Sequence, residues 1–356
     1  MRAKKLRHRL FASAALLALA GTKPLMAATY VWTGGGGDPI WSYRSSNGTY
    51  SNWGNSAILP GYTDDVVFGS GFASGMPNLG NAAFNSLTID TSASIELDGN
   101  ELDLTSGNIT RTNASSGTQS INLPILRIFG NAIWDLQGNG GVSVSSAVDS
   151  NNVSFTKSGS ADLTFNNGFY LEGPVTVTGG NLVLNGGQGS AIFQGSDPLL
   201  ITNQSSSLLV ENSGWLATVG QPRIDNGGAV TVTGAGSQWS NYDTSSLPGT
   251  ILVGRDGAGS LTISNGGLIS TSNLTLSLKP SGNGTFNVTG GGQLTATNLS
   301  AGDIGGGSAS IVVSGNGSVA NVENLTLGTG APASLLISAG GAVNVMPTYP
   351  STTMHA

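Results

Sequence analysis

The densest cluster of groups able to move protons is a set of four carboxylates: Glu96, Asp98, Glu101 and Asp103. Paired carboxylates can work as general acid and base, or as acid and nucleophile, on a glycosidic bond, and that chemistry needs no histidine. Each of the four alternates with an apolar residue: Ile95, Leu97, Leu102 and Leu104. Successive side chains of a strand point to opposite faces, so the alternation predicts that all four carboxylates face solvent. A charged outer face that discourages edge pairing accounts for them without catalysis. Arg111 and Arg127 are the nearest basic residues, at spacings that define no site.

Other polar motifs carry less chemistry. Asp64-Asp65 could hold a metal or end a turn. Adjacent strand residues point apart, which favours the turn. The Gly34 to Asp38 stretch partly matches glycine- and aspartate-rich calcium repeats, but it occurs once, whereas such sites are built from tandem copies. Gly254-Arg255-Asp256-Gly257 reads as a turn between strands. No phosphate-binding loop, nucleophile elbow or zinc signature is present. The two histidines, His8 and His355, lie at the extreme ends, and there is no cysteine. The body of the chain therefore cannot form a histidine triad, a histidine general base, a His-ligated metal site or a disulfide. The expectation is a chain with no catalytic, cofactor-binding or metal-binding residues, no cofactor and no enzymatic activity.

The elements that carry these residues are short strands. Of 356 residues 55 are Gly and only 9% are charged, while 38% are hydrophobic. Disordered chains pair low hydrophobicity with high charge. Here the apolar residues alternate, so an ordered all-β protein with frequent turns is expected.

Residues 1–27 read as a secretory signal peptide. Arg2, Lys4, Lys5, Arg7 and Arg9 form a positive start, Leu10 to Ala20 an apolar run, and Met26-Ala27-Ala28 a small-residue cleavage site. The apolar run is too short to span a bilayer, which takes about 20 residues. With Lys23, this segment holds six of the 13 basic residues and no acidic ones, so the mature chain keeps 7 basic against 19 acidic, a net charge of −12. Such a field excludes nucleic acid and anionic lipid as partners, and no later apolar run is long enough for a transmembrane helix.

Residues 28–85 hold Trp32, Trp41 and Trp53, half of the six tryptophans, with Tyr30, Tyr43, Tyr50 and Tyr62 among them. Terminal repeats of solenoids are atypical and cover the open core, so this stretch is expected to be an N-terminal cap. The competing use of its aromatic faces is a sugar-binding platform.

Residues 86–345 repeat. Five alternating strands, Val230–Thr233, Leu261–Ser264, Phe286–Thr289, Ile311–Ser314 and Leu335–Ser338, are each followed by a glycine turn. Their second inward residues, Val232, Ile263, Val288, Val313 and Ile337, are separated by 31, 25, 25 and 24 positions. Three short strands per period fit one coil of a right-handed, three-sided parallel β-helix, in which stacking buries a core that no single coil could bury. Asn273, Asn298 and Asn324 recur one coil apart, each before a leucine. Stacked amides can hydrogen-bond in a line, which predicts an asparagine ladder at a turn closed to water. Residues 86–227 read as looser copies, and residues 346–356 as a disordered tail.

The motifs resemble a known family. Lys157-Ser-Gly159, Leu163-Thr-Phe165-Asn-Asn, Tyr170, Gly173, Val175-Thr-Val177 and Leu182-Val-Leu184 are similar to the autotransporter-associated β-strand repeat. The Val230 to Trp239 and Gly259 to Ile269 segments, with the Trp-rich start from Trp32 to Phe68, resemble passenger regions of bacterial autotransporters. That resemblance covers most of the mature chain and implies a secreted, surface-displayed passenger stalk, structural and adhesive, at the outer membrane or beyond it. The implied partners are host or bacterial surface glycans or proteins, with a translocator barrel. No barrel-type segments follow Val345, so the translocator is expected outside this chain. Because β-helices also carry polysaccharide lyases and hydrolases, the alternative is a carbohydrate-active enzyme using acidic residues.

Overall fold

A computed structural model of the protein describes residues 27–33, 40, 42, 51–53, 58–72, 77–112, 116–150, 152–186, 190–195, 197–244, 248–302 and 307–346. Nearly all regular structure in these residues is β-strand; one short 3-10 turn, Ser51–Trp53, is the exception. All strand pairings are parallel, and strands pair with the next coil rather than with their sequence neighbours.

Each coil gives one strand to each of three faces. Face I begins with Thr29–Trp32 paired to Asp65–Phe68, and ends at residues 324–327. Face II is an eleven-stranded sheet from Ile95–Asp98 to Ala333–Ser338. Face III runs from Asn81–Phe84 to Ala342–Val345. The chain is thus a three-sided parallel solenoid, as its repeats predict.

The predicted register of the repeats holds residue by residue. Val232 pairs with Ile263, Ile263 with Val288, Val288 with Val313, and Val313 with Ile337. Alternation sends these side chains inward, and Val232, Ile263, Val288 and Val313 are fully buried. Each such burial contributes roughly 1.5–3 kcal/mol, and stacking makes the column continuous. The 31-residue coil differs from its 25-residue neighbours at one corner. Its face III strand, Gln238–Tyr242, and its face I strand, Thr250–Val253, are separate. In the next coils these two fuse into single nine-residue strands, Leu268–Leu276, Gln293–Ala301 and Val319–Leu327, which bend from face III to face I.

At the N-terminal end, parallel pairing already begins at Thr29. Trp32 and Trp53 meet edge to face with ring centroids 4.9 Å apart, and Phe68 lies 5.8 Å from Trp32 and 5.7 Å from Phe72. These four rings are buried and plug the first coils. Trp32 and Trp53 are therefore not open to stack on a ligand. Trp41, Tyr43, Tyr50 and the Gly34 to Asp38 stretch lie outside the described residues, as do residues 1–26, expected as a leader, and 347–356, expected as a tail.

Two inward columns contain a cation. On face I, Val66, Leu87, Ile109, Trp134, Lys157 and Val177 stack in register. The next inward column runs Phe68, Ile89, Arg111, Leu136. Arg111 and Lys157 are both fully buried. A buried charge needs hydrogen-bond partners. The Lys157 Nζ donates to the carbonyls of Ser158 (3.2 Å), Gly159 (2.8 Å) and Gly179 (2.6 Å). Arg111 donates to the carbonyls of Gln137 and Gly140, both at 2.6 Å. The Lys-x-Gly element is thereby explained: Gly159 turns at φ +78°, where a Cβ would sit 2.3 Å from the Leu136 carbonyl oxygen, and Lys157 ties that turn to the coil above.

Candidate functional site

The four carboxylates point outward, as alternation predicts, but on two faces. Glu96 and Asp98 are on face II and Glu101 and Asp103 on face III, separated by the Gly99-Asn100 corner. The face II pair is locally engaged: Glu96 accepts from Asn122 Nδ2 at 3.4 Å, and Asp98 from the Gly99 amide at 2.8 Å. Among the described residues no three acidic or histidine side chains gather closely enough to hold a metal.

On face III the stacking brings in a partner that linear spacing concealed. Arg127 stands in register between Asp103 on one side and Asp149 on the other. Its guanidinium contacts Glu101 and lies 3.4 Å from Asp103. Tyr170 occupies the next rung after Asp149, and its hydroxyl donates to Glu172 Oε1 at 3.2 Å. Rungs are about 4.8 Å apart, so Asp103 and Asp149 are roughly 10 Å apart along the face, with Arg127 between them. Burial pushes the Asp103 carboxyl above its ordinary value. Burial, then Glu172, raise the Tyr170 hydroxyl. A carboxyl shifted upward is one attribute of a general acid; here Arg127 stands against it, 3.4 Å away.

The remaining sequence motifs resolve as structure. Asp64 is buried and accepts from the Ala28 and Gly61 amides, each at 2.9 Å, closing a turn. Asp65 points the other way and accepts from Asn85 Nδ2 (2.8 Å) and Ser86 Oγ (2.5 Å) on the next coil. The Arg255-Asp256 turn belongs to an ion network not evident from its sequence. Arg223 lies 2.8 Å from Asp225 and 3.1 Å from Asp256, and Lys279 Nζ 2.6 Å from Asp256. Asp256 is held below the ordinary carboxylate range, first by the Lys279 hydrogen bond. The signal for this network was the coil period itself, since Arg223, Asp256 and Lys279 come from successive coils.

The asparagine ladder is present. Asn324 Nδ2 donates to Asn298 Oδ1 (2.9 Å), Asn298 Nδ2 to Asn273 Oδ1 (2.6 Å), and Asn273 Nδ2 to Thr250 Oγ1 (3.0 Å). The expected exclusion from water is corrected: Asn273 and Asn298 are half-buried and Asn324 is exposed. They lie just past the bend of fused strands, on the outer surface, where amides satisfy each other in competition with solvent.

No protein-family model, curated protein or solved structure matches the chain. No described helix is long and apolar enough to cross a membrane. The parallel solenoid is compatible both with a passenger stalk and with a β-helix enzyme.

Proposed function

We propose that this chain is an autotransporter-type passenger: a rigid stalk, exported through its leader and displayed at the bacterial cell surface. The observation that supports this best is the stacking of about eleven coils in unbroken parallel register, which makes a stiff rod from local contacts alone. Four of its basic groups make structural contacts: Arg111 and Lys157 tie coils internally, and Arg127 and Arg223 clamp carboxylates across coils. A translocator barrel carries the stalk through the outer membrane, and the stalk itself is not catalytic. The test is cell fractionation with surface proteolysis and N-terminal mass spectrometry. The expected product begins at Ala28 or Thr29 and is cut by protease added to intact cells. Retention of an uncleaved chain in the cytoplasm refutes the reading.

One observation favours the enzyme alternative: the raised Asp103 carboxyl, two rungs from Asp149. A polysaccharide-cleaving activity abolished by Asp103→Asn, with folding intact, would establish it in place of the stalk.

A further inference from the structure

A groove of about 920 Å³ runs along the solenoid where face III bends into face I. That is at the large end of the range typical for small-molecule sites, about 300–1,000 Å³. It arises from the irregularity in the repeat. In the 31-residue coil the chain leaves face III at Tyr242 and returns to face I at Thr250, so Asp243 stands at one wall of the groove. The three following coils turn the same corner within one strand, and form the floor.

The floor is a ladder of small polar side chains. Ser240, Ser270, Thr295 and Asn321 occupy equivalent positions in four successive coils, each paired in register with the next. All four line the groove. Ser240 and Asn321 are engaged by Gln238 (2.8 Å) and Asn344 (2.8 Å). The Ser270 and Thr295 hydroxyls make no hydrogen bond to another described side chain or backbone group. Tyr242, half exposed, presents an aromatic ring at one end. Behind the floor lies a buried network. Trp239 Nε1 donates to Thr218 Oγ1 at 2.9 Å. The Asn241 amide, oriented to satisfy both its ends, joins Thr218 to Thr271 and to the Thr250 amide. Such a network holds the floor rigid, which lowers the ordering cost of binding.

Charge narrows the ligand. Among the described residues no lysine or arginine lines the groove, and Asp243 and Glu323 do. Asp243 is held below the ordinary carboxylate range by the Gly249 amide and by Ser272 Oγ, which donates at 2.6 Å. An anionic ligand would meet carboxylates with no counter-charge. A polyol meets acceptors, donors and an aromatic ring. The rung spacing of about 4.8 Å is close to the length of one pyranose unit in an extended chain.

We infer that this groove binds an uncharged, extended oligosaccharide lying parallel to the solenoid axis, one sugar to each rung, with the Tyr242 ring stacked on a terminal sugar. It adds a ligand site to the stalk and does not depend on how the chain is exported. The purified full chain should be titrated calorimetrically with cello- and chito-oligosaccharides from two to six sugars, and with oligogalacturonate of the same lengths. Affinity for at least one neutral series should rise with each sugar to the tetrasaccharide and then level off, while oligogalacturonate should not bind. Tyr242→Ala should weaken tetrasaccharide binding about tenfold, and Thr295→Val several-fold. Both sites are exposed, so circular dichroism and melting should match the parent. Tyr170→Ala, at the other exposed tyrosine of face III, should change nothing. Absence of binding by both neutral series overturns the inference. So does preference for the acidic series, or binding indifferent to Tyr242→Ala and Thr295→Val. Surface display is measured separately, so either proposal can fail without the other.

Discussion

The coils between Ile95 and Val177 and those between Ala258 and Val345 fill the same triangular section by different means. In the first group, in-register face II residues Leu97, Ile121, Val144 and Phe165 are separated by 24, 23 and 21 positions. Strands there are three to five residues long. In the second group the separations settle at 25, 25 and 24, and strands extend to seven or nine. These coils also stack aliphatic residues in register, such as Leu97, Ile121 and Val144, but part of their section is filled by rings. Trp134, Phe155, Phe165 and Phe169 pack together, with Phe165 and Phe169 stacked at 4.0 Å and Trp134 and Phe155 edge to face at 5.3 Å. Corners there are held by Arg111 and Lys157. Coils of constant length instead stack aliphatic rungs inside, with Phe286 the one aromatic. Outer amide ladders are not confined to them, running through Asn166, Asn185 and Asn212 in earlier coils and through Asn273, Asn298 and Asn324 in the later ones. What differs with constancy of period is the filling of the core, rings in the one group and aliphatic rungs in the other.

The sharpest break of this contrast is Trp134→Ala. It should cost about 3–5 kcal/mol, read as a lowered denaturant midpoint and as loss of hydrogen-exchange protection confined to neighbouring coils. Equal loss of protection in the coils after Ala258 would show that the two regions are not separable.

Lys157 gives the next largest effect. Lys157→Ala leaves the Ser158, Gly159 and Gly179 carbonyls buried without their donor, a loss on the order of 2 kcal/mol. Burial pulls the Lys157 pKa down to about 8 from the usual 10.5, partly opposed by Asp162 and Asp135. Below about pH 8 the lysine is charged in both folded and unfolded chains, and the burial cost is present in full. Between about 8 and 10.5 the unfolded chain holds more protons, so stability should rise with pH across that window. Lys157→Met removes the titration. Parallel pH profiles for the two proteins would contradict the assignment.

In the regular coils the comparable device is outside and weaker. Asn298→Ala breaks both ladder bonds, and because the site is half-buried the expected cost is about 1 kcal/mol. Asn298→Gly should not restore it; restoration would mean the residue serves turn geometry alone. The smallest effect belongs to the outward carboxylates. Glu96→Gln with Asp98→Asn should leave stability within about 0.5 kcal/mol and alter no function. A greater loss would place these residues at a site.

Legibility follows the same division. The register of face II after Gly228 could be read from Val232, Ile263, Val288, Val313 and Ile337, and the ladder from Asn273, Asn298 and Asn324. In the earlier coils the strands Ile95–Asp98 and Glu101–Leu104 were legible, but not what stacks on them. Lys157 sits in an alternating Phe-Thr-Lys-Ser strand, where an inward lysine looks no different from an error in phase. Arg127 lies 24 positions from Asp103, which means nothing until the length of that coil is known. The groove was hidden because Asp243, at its wall, belongs to the surplus of one 31-residue coil.

By itself the sequence determined that this chain is a β-solenoid, since a strand period of 2 inside a coil period near 25 has one stable outcome: inward apolar columns buried by stacking. It also determined the absence of histidine and cysteine chemistry from the body of the chain. Tertiary structure alone decided which unequal coils stand in register. That choice set Arg127 between two aspartates, drove Lys157 and Arg111 into the core beneath backbone carbonyls, and opened the polar groove beside Tyr242. The physical reason is that alternation fixes which side of a strand a residue faces, whereas its neighbours above and below depend on the summed length of every corner between them.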